Sequence, residues 1–272
     1  MLPIRRAAAV AGAFYPAQPL ALQAEVNRLL AEAGSKIRAL GSPPKALIVP
    51  HAGYVYSGST AALAYAHVAT LRQQVRRVVL LGPVHRVAVH GLVLAGADAF
   101  SSPLGEVGID APAAAALSGL RQVSTHPAAH ALEHSLEVQL PFLQTVLDDF
   151  SLVPLAVGDA SADEVAEVLE TLWGGPETLI VISSDLSHFL PYNQAQVIDG
   201  QTVQAILRGD GSLTHQQACG GTPINGLLLA ARRHGLQPHL LGLCNSGDTA
   251  GDKQRVVGYA ALAFTPTSHA KH

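Results

Sequence analysis

Residues 46–58, with the sequence ALIVPHAGYVYSG, show the pattern around which the rest of the chain is organised. A continuous apolar run reaches Pro50 and then brings His51 into a segment rich in glycine and tyrosine. An uninterrupted apolar run of this kind predicts a strand that is covered on both faces, as strands of parallel sheets are. The segment therefore indicates an α/β architecture in which a metal-capable side chain follows the carboxyl end of a strand.

Two further apolar runs end in the same way. Residues 78–82 lead to His85 in LGPVH, and residues 179–184 lead to Asp185 and His188 in SSDLSH. In open α/β sheets the ligand crevice lies outside the carboxyl ends of the strands. We therefore expect the three strand ends to meet at one crevice, which is the predicted functional site.

Helical patterns alternate with these strands along the chain. Helices are predicted at residues 20–33, 59–72, 111–120, 137–147, 163–172, 195–207 and 223–233. Additional strands are predicted at residues 91–95, 152–157, 240–244 and 256–264. This alternation predicts an α/β fold with a mostly parallel central sheet flanked by helices.

The composition favours one domain over residues 1–272, with an N-terminal arm at 1–18 and a flexible tail at 266–272. The chain is 49% hydrophobic and 14% charged, which predicts a sizeable core. Its net charge is −3, and it has no long run of Lys or Arg that would suggest nucleic acid or an anionic membrane surface. No apolar stretch reaches the roughly 18 residues of a membrane span.

The cysteine content and the N-terminus predict a cytoplasmic protein. Two cysteines, Cys219 and Cys244, are too few for a disulfide framework and fit a reducing compartment. Arg5–Arg6 followed by AAAVAGAF resembles a signal peptide only superficially, because the apolar stretch is short and runs into Tyr15 and Pro16.

His51 and His85 are the leading candidates for metal ligands. Either histidine alone is as well explained by a hydrogen bond to the loop backbone. Two histidines at neighbouring strand ends favour a shared metal ion, because neutral imidazole is a common ligand of Zn, Fe and Cu.

Three further residues are candidates with open alternatives. Asp185 and His188 suit a ligand and a general base, or a turn cap and a loop histidine. His134, close to Glu133 and Glu137, either reaches the crevice or caps its own helix.

Cys219 in QACGGTPI precedes a predicted helix, and a helix N-terminus lowers a thiol pKa and favours the thiolate as nucleophile or ligand. The alternative for Cys219 is a small buried apolar residue. The phosphate-binding, dinucleotide, serine-hydrolase and zinc-protease motifs GxxxxGK[ST], GxGxxG, GxSxG and HExxH are absent.

Six motifs together resemble the Memo-like proteins. They are AGAFYP, PHAGYVYSG, LGPVH, EHSLEVQLPFLQ, ISSDLSHF and ACGGTPI, in this order between residues 11 and 264. Bacterial members of this family are named AmmeMemoRadiSam system protein B, and the human namesake is a mediator of cell motility in receptor tyrosine kinase signalling. The bacterial name implies a functional link to a radical-SAM protein.

The resemblance implies a fold similar to that of class III extradiol ring-cleavage dioxygenases, which hold Fe(II) with two histidines and a carboxylate. By the family pattern, His51 and His85 are the histidine ligands and Cys219 takes the place of the carboxylate. His188 takes the place of the acid/base histidine, with Asp185 beside it. A thiolate is a softer ligand than a carboxylate and shifts the metal preference toward Cu(I), Zn or thiolate-bound iron.

The resemblance thus implies a metal-binding, redox-type protein, with Fe(II) favoured and copper or Zn as alternatives. The expected reaction is O₂-dependent oxidation of a small, aromatic substrate, in which His188 moves protons and Asp185 and His134 assist. One alternative is a non-catalytic module that binds a peptide or small ligand in the same crevice, with Tyr54 and Gly53 in contact with it and Tyr56 and Gly58 also at the rim; all four are equally well explained as packing residues. Zn-dependent hydrolysis is a further alternative. The oligomeric state is left open.

Overall fold

The computed structural model describes residues 3–267, in which strands and helices alternate. The strands are β1 (Arg5–Arg6), β2 (Ala46–Val49), β3 (Arg77–Pro83), β4 (Leu92–Leu94), β5 (Ala99–Ser102), β6 (Gly105–Gly108), β7 (Val123–Thr125), β8 (Ser151–Val157), β9 (Thr178–Ser183), β10 (His188–Leu190), β11 (Leu236–Asn245) and β12 (Val256–Pro266). The α-helices are α1 (Pro19–Gly34), α2 (Tyr54–Val68), α3 (Ala111–Ala116), α4 (Pro127–Ala131), α5 (Leu140–Val146), α6 (Ala162–Thr171), α7 (Tyr192–Arg208) and α8 (Gly221–Arg233). Short 3₁₀ helices lie at Ala69–Leu71, Glu137–Gln139 and Ser246–Asp248.

A nine-stranded sheet forms the centre of the described chain. Its order is β10–β12–β2–β9–β3–β8–β4–β7, and β11 pairs with β12. The four middle strands β2, β9, β3 and β8 run parallel to one another. The sheet becomes antiparallel where β12 joins β2 and where β4 joins β8. The predicted α/β fold with a central sheet flanked by helices is confirmed, although over its full width the sheet is mixed.

Alternate residues of the middle strands enter two separate apolar cores. Leu47 and Val49 of β2 pack in the core that also contains the buried faces of α1, α2 and α5. Ala46 and Ile48 pack in the core that contains residues of α6, α7 and α8. Since side chains along a strand point alternately to opposite faces, helices on both faces explain why these strands are apolar throughout.

Helix α2 begins at Tyr54, five residues earlier than predicted. Gly53 is its N-cap, and the YVYSG segment forms its first turns rather than a loop. A Cβ at Gly58 would lie 2.9 Å from Leu29 Cδ1 on α1 and 3.2 Å from Tyr54 Cβ, so the glycine allows α1 and α2 to approach closely. Gly58 therefore lies at a close contact between α1 and α2 and does not mark a turn.

The segment between β4 and α3, for which no strand was predicted, forms a hairpin of β5 and β6. Gly105 enters the second strand with φ at +121°, a conformation that favours glycine. The hairpin belongs to a separate three-stranded sheet, in which β1 pairs in parallel with β5. No local pattern in the sequence indicates this pairing, since its partners lie 94 residues apart.

A buried ion pair fixes the N-terminal arm to the body of the protein. The guanidinium of Arg6 pairs with the carboxylate of Glu137, and both side chains are almost completely buried. The same carboxylate accepts hydrogen bonds from the backbone amides of Ala9 and Val10 at 2.8 and 3.0 Å and from the Tyr15 hydroxyl at 2.5 Å. Glu137 therefore holds the arm through contacts with residues spread from Arg6 to Tyr15.

The predicted tail at 266–272 falls largely outside the described residues. Pro266 is the last residue of β12, and the backbone amide of Thr267 donates to the carbonyl of Gly235 at 3.0 Å. Among the helices within residues 3–267, none combines the length and the apolar composition that crossing a bilayer requires.

His130 makes the stability of the fold sensitive to acid. It is buried, its Nε2–H donates to the Val93 carbonyl at 2.8 Å, and burial lowers its pKa to about 4. Between pH 6.5 and 4 the unfolded chain therefore binds more protons than the folded protein, so stability falls as the pH drops through this window. His130→Gln keeps a hydrogen-bond donor for the Val93 carbonyl. On lowering the pH to 4, the free energy of unfolding of this variant is expected to fall by about 3 kcal/mol less than that of the wild type.

Urea unfolding at pH 7 and pH 4 measures this effect. The exposed His90 provides the control, because His90→Gln should leave the wild-type difference between the two pH values unchanged. An unchanged difference in His130→Gln would contradict the prediction.

Candidate metal centre

Two of the parallel middle strands and the segment after α4 bring three histidines together at the carboxyl ends of the strands. His51 follows β2 and His85 follows β3, while His134 lies between α4 and the 3₁₀ helix Glu137–Gln139. One ligand atom from each of these three imidazoles lies within 4.8 Å of the other two. The ring centroids are 5.3 Å apart for His51 and His85 and 4.7 Å apart for His85 and His134.

A chain of hydrogen bonds sets the tautomer of His51. The Ser183 hydroxyl donates to the Ser135 carbonyl at 2.6 Å and accepts from Gln139 Nε2 at 2.8 Å. Its remaining lone pair faces His51 Nδ1 at 3.0 Å, so Nδ1 must carry the proton. Gln139 is oriented in turn by donating to the Pro50 carbonyl at 2.9 Å. His51 Nε2 is therefore left with a free lone pair, as metal coordination requires.

Glu133 has the same effect on His85. Its carboxylate accepts from His85 Nδ1 at 2.8 Å and from the His85 backbone amide at 2.6 Å. Burial raises the pKa of Glu133, but these bonds and that from the Ser135 amide outweigh it and hold the pKa at about 2. A carboxylate behind the imidazole orients the ring and selects the neutral tautomer with the proton on Nδ1 and the lone pair on Nε2, an arrangement common for histidine metal ligands.

His134 completes the cluster, with its ring stacked on that of His85. Its Nδ1 lies 3.4 Å from Glu133 Oε1, and its ring packs 4.8 Å from the Phe14 ring of the N-terminal arm. Burial lowers the pKa of His134 to about 4, and burial also lowers that of His51. Both imidazoles are therefore neutral at neutral pH, the form that binds metal ions.

Cys219 lies beside the cluster but does not belong to the group of three mutually close ligand atoms. Its Sγ is 3.3 Å from His51 Nε2 and accepts from the Asp185 backbone amide at 3.3 Å. Burial, together with the charge of Asp185, raises the pKa of the thiol to about 12. The expectation that the helix N-terminus lowers this pKa is therefore wrong, because the effect of burial dominates. The thiol is protonated and can donate to His51 Nε2.

Asp185 and His188 reach the same crevice. Asp185 Oδ1 accepts from the His51 backbone amide at 2.7 Å, and complete burial raises the pKa of this carboxyl to about 7. His188 Nδ1–H donates to the Leu186 carbonyl at 2.9 Å, which leaves Nε2 as an acceptor. Both residues line a cavity of about 420 Å³, together with His134 and Gly53.

The two tyrosines of the 46–58 segment point in different directions. Tyr54 is only 6% exposed, donates its hydroxyl to the Val138 carbonyl at 2.7 Å and packs against Phe142. Tyr56 lines the cavity beside Gly53. The structure thus brings Gly53, but not Tyr54, to the crevice where both were expected to contact a ligand.

Sequence reasoning missed the residues that orient the imidazoles. Ser183 and Gln139 lie within the family motifs ISSDLSHF and EHSLEVQLPFLQ, but nothing in those motifs assigned either residue a role. Glu133 was noted only as a neighbour of His134. A buried carboxylate in an otherwise apolar segment was the available signal, because such a group needs donors around it.

The fold and the site define an α/β protein with a candidate metal centre at the carboxyl edge of its parallel strands. A family model described as Memo-like protein matches residues 6–263. The chain therefore belongs to the Memo-like protein family, as its motifs predicted.

Two curated relatives are similar over almost the whole chain. A MEMO1 family protein of Sulfolobus acidocaldarius is 33% identical, covering 95% of this chain and 99% of the relative. MEMO1 family protein Mbar_A1422 of Methanosarcina barkeri is 35% identical, covering 94% and 98%. Among solved structures, the uncharacterised protein JW3007 of Escherichia coli K12 is similar over 80% of this chain and 98% of its own, with 14% identity and a TM-score of 0.47.

Proposed function

We propose that this chain binds a transition-metal ion through His51, His85 and His134, beside Cys219, and acts as a metal-dependent oxidoreductase. The observation that carries the proposal is the convergence of three imidazole donor atoms within 4.8 Å. Hydrogen bonds at Nδ1 leave Nε2 of His51 and of His85 available. Imidazole suits iron, copper and zinc; Fe(II) is our first choice, with copper second.

Two ligand sets share His51 and His85. The geometry favours His134 as the third ligand, whereas the family resemblance implies Cys219. A thiol within 3.3 Å of His51 Nε2 is close enough to join the same ion once it loses its proton, and a bound cation favours that loss. The choice decides the charge of the centre, since three imidazoles are neutral and a thiolate is not.

The chain's own residues supply proton transfer and a cavity for a substrate. A bound iron or copper ion would supply the redox chemistry with O₂. His188 presents Nε2 as a base, and burial lowers its pKa, so that it is neutral and able to accept a proton at neutral pH. Asp185 fixes the backbone of His51 through its amide and assists in positioning it. The substrate we expect is small and aromatic.

Elemental analysis of protein purified anaerobically without an affinity tag tests the metal site. Wild type and the His90→Ala control should contain near-stoichiometric iron or copper, and His51→Ala should contain none. Loss in His134→Ala with retention in Cys219→Ser identifies the three-histidine set, and the reverse identifies the His/His/Cys set. Absence of metal in the wild type, with no uptake of added Fe(II) or copper, would contradict the proposal.

Zinc-dependent hydrolysis is the second candidate, because three imidazoles with an open position are a donor set of catalytic zinc sites. Activity that persists in strictly anaerobic buffer would favour it over oxidation. A ligand that still binds to the His51→Ala variant would instead favour a non-catalytic binding module. The link to a radical-SAM protein and the cytoplasmic location remain predictions.

A further inference from the structure

We propose that the crevice binds a small aromatic acid whose carboxylate is held by Arg255. The inference rests on the proposed function for the metal centre beside it, and it names the class of substrate. Its basis is an unpaired guanidinium in the wall of the cavity that His134, Asp185 and His188 also line.

Arg255 is the only lysine or arginine among the described residues that line this cavity. No carboxylate of the described chain lies within ion-pair distance of its guanidinium. The cavity wall contains two carboxyl groups, and both are bonded to backbone amides instead. Asp185 accepts from His51, and Asp252 Oδ1 accepts from the amides of Gln254 at 2.8 Å and of Arg255 itself at 3.3 Å. The charge of Arg255 is thus available to a ligand.

A strained aromatic residue supports the guanidinium from outside the cavity. Arg255 Cζ lies 5.0 Å from the centroid of the Phe189 ring, within cation–π range. Phe189 has φ at +60°, a region that bulky residues rarely occupy, and its side chain is 60% exposed. Exposure of a large ring in a strained conformation needs a reason, and support of Arg255 provides one.

The same irregularity positions His188. Strand β10 pairs with β12 through His188 and Leu190, opposite the adjacent residues Val257 and Val256, so the register shifts at Phe189. Bulges of this kind redirect side chains and are frequent next to active sites. One bulge thus turns His188 into the cavity and places Phe189 against Arg255.

The rest of the cavity suits a flat apolar group. Phe14, Tyr56 and Tyr259 line it, and its volume of about 420 Å³ falls within the range of small-molecule sites. Aromatic walls with one cation at the rim fit a ring that bears a carboxylate, since the ring packs on the aromatic side chains and the guanidinium binds the anion in a bidentate manner.

Isothermal titration with 4-hydroxybenzoate and 4-hydroxybenzamide tests the inference, because the two ligands have nearly the same shape and differ in charge. The wild type should bind the acid at least about tenfold more tightly than the amide, as expected for a charge-assisted hydrogen bond. Arg255→Gln should abolish this preference. Lys253→Gln is the matched control and should retain it, because Lys253 belongs to the same loop but lies over Tyr192, outside the cavity lining.

The titrations are made with protein as purified and with protein treated with a chelator. Equal or undetectable binding of acid and amide by the wild type overturns the inference, and so does a preference that survives in Arg255→Gln. An Arg255-dependent preference in protein that takes up no metal would overturn the proposed metal centre alone. Metal uptake without any preference for the acid would overturn the Arg255 site alone.

Discussion

Glu137→Gln is expected to destabilise the protein by about 3–5 kcal/mol, because it leaves the buried guanidinium of Arg6 without a counter-charge. The two side chains are exposed by only 5% and 0%, so water cannot replace the lost partner. The substitution also weakens the hydrogen bonds that the side chain of residue 137 accepts from the Ala9 amide, the Val10 amide and the Tyr15 hydroxyl. Urea unfolding at pH 7 measures the change in the free energy of unfolding.

An exposed ion pair provides the matched control. Arg72 and Asp148 lie 2.7 Å apart with side chains about half exposed, and Arg72→Gln should cause a much smaller loss of stability. The double variant Arg6→Met with Glu137→Gln should recover part of the stability lost in Glu137→Gln, since it removes the unpaired charge. Equal losses in Glu137→Gln and Arg72→Gln would show that the buried pair does not anchor the arm.

Glu133→Gln is expected to weaken metal binding by roughly 10- to 100-fold, the usual effect of removing a carboxylate that orients a histidine ligand. The neutral amide accepts more weakly from His85 Nδ1 and no longer favours the tautomer with Nε2 free. Competition with a chromophoric chelator measures the dissociation constant for Fe(II) or copper.

Glu106→Gln is the control for this variant, because Glu106 lies at the surface, paired with Arg5 in the small sheet. A metal affinity of Glu133→Gln equal to that of this control would remove Glu133 from the site. Ser183→Ala extends the test to His51, whose Nδ1–H would lose its acceptor. A smaller loss is expected there, since a neutral hydroxyl is a weaker acceptor than a carboxylate.

Much of the architecture was predictable because its signals are local. Strand β9 spans Thr178–Ser183, within one residue of the predicted run at 179–184, because all of its residues are buried and its centre, residues 179–182, is apolar. Helix α6 was predicted at residues 163–172 and spans Ala162–Thr171, where Ser161 and Glu164 exchange both hydrogen bonds of a capping box at its start. His51 and His85 were found because parallel strands end at the same edge of a sheet.

By itself, the sequence determined the alternation of strands and helices, the family, and the strand ends that bear His51, His85, Asp185 and His188. Only the tertiary structure decided that His134 lies beside His51, that Tyr56 rather than Tyr54 lines the cavity, and that burial raises the pKa of the Cys219 thiol. The physical reason is that the direction of a loop side chain and its removal from water depend on contacts with distant segments. The local periodicity of the sequence contains no information about those contacts.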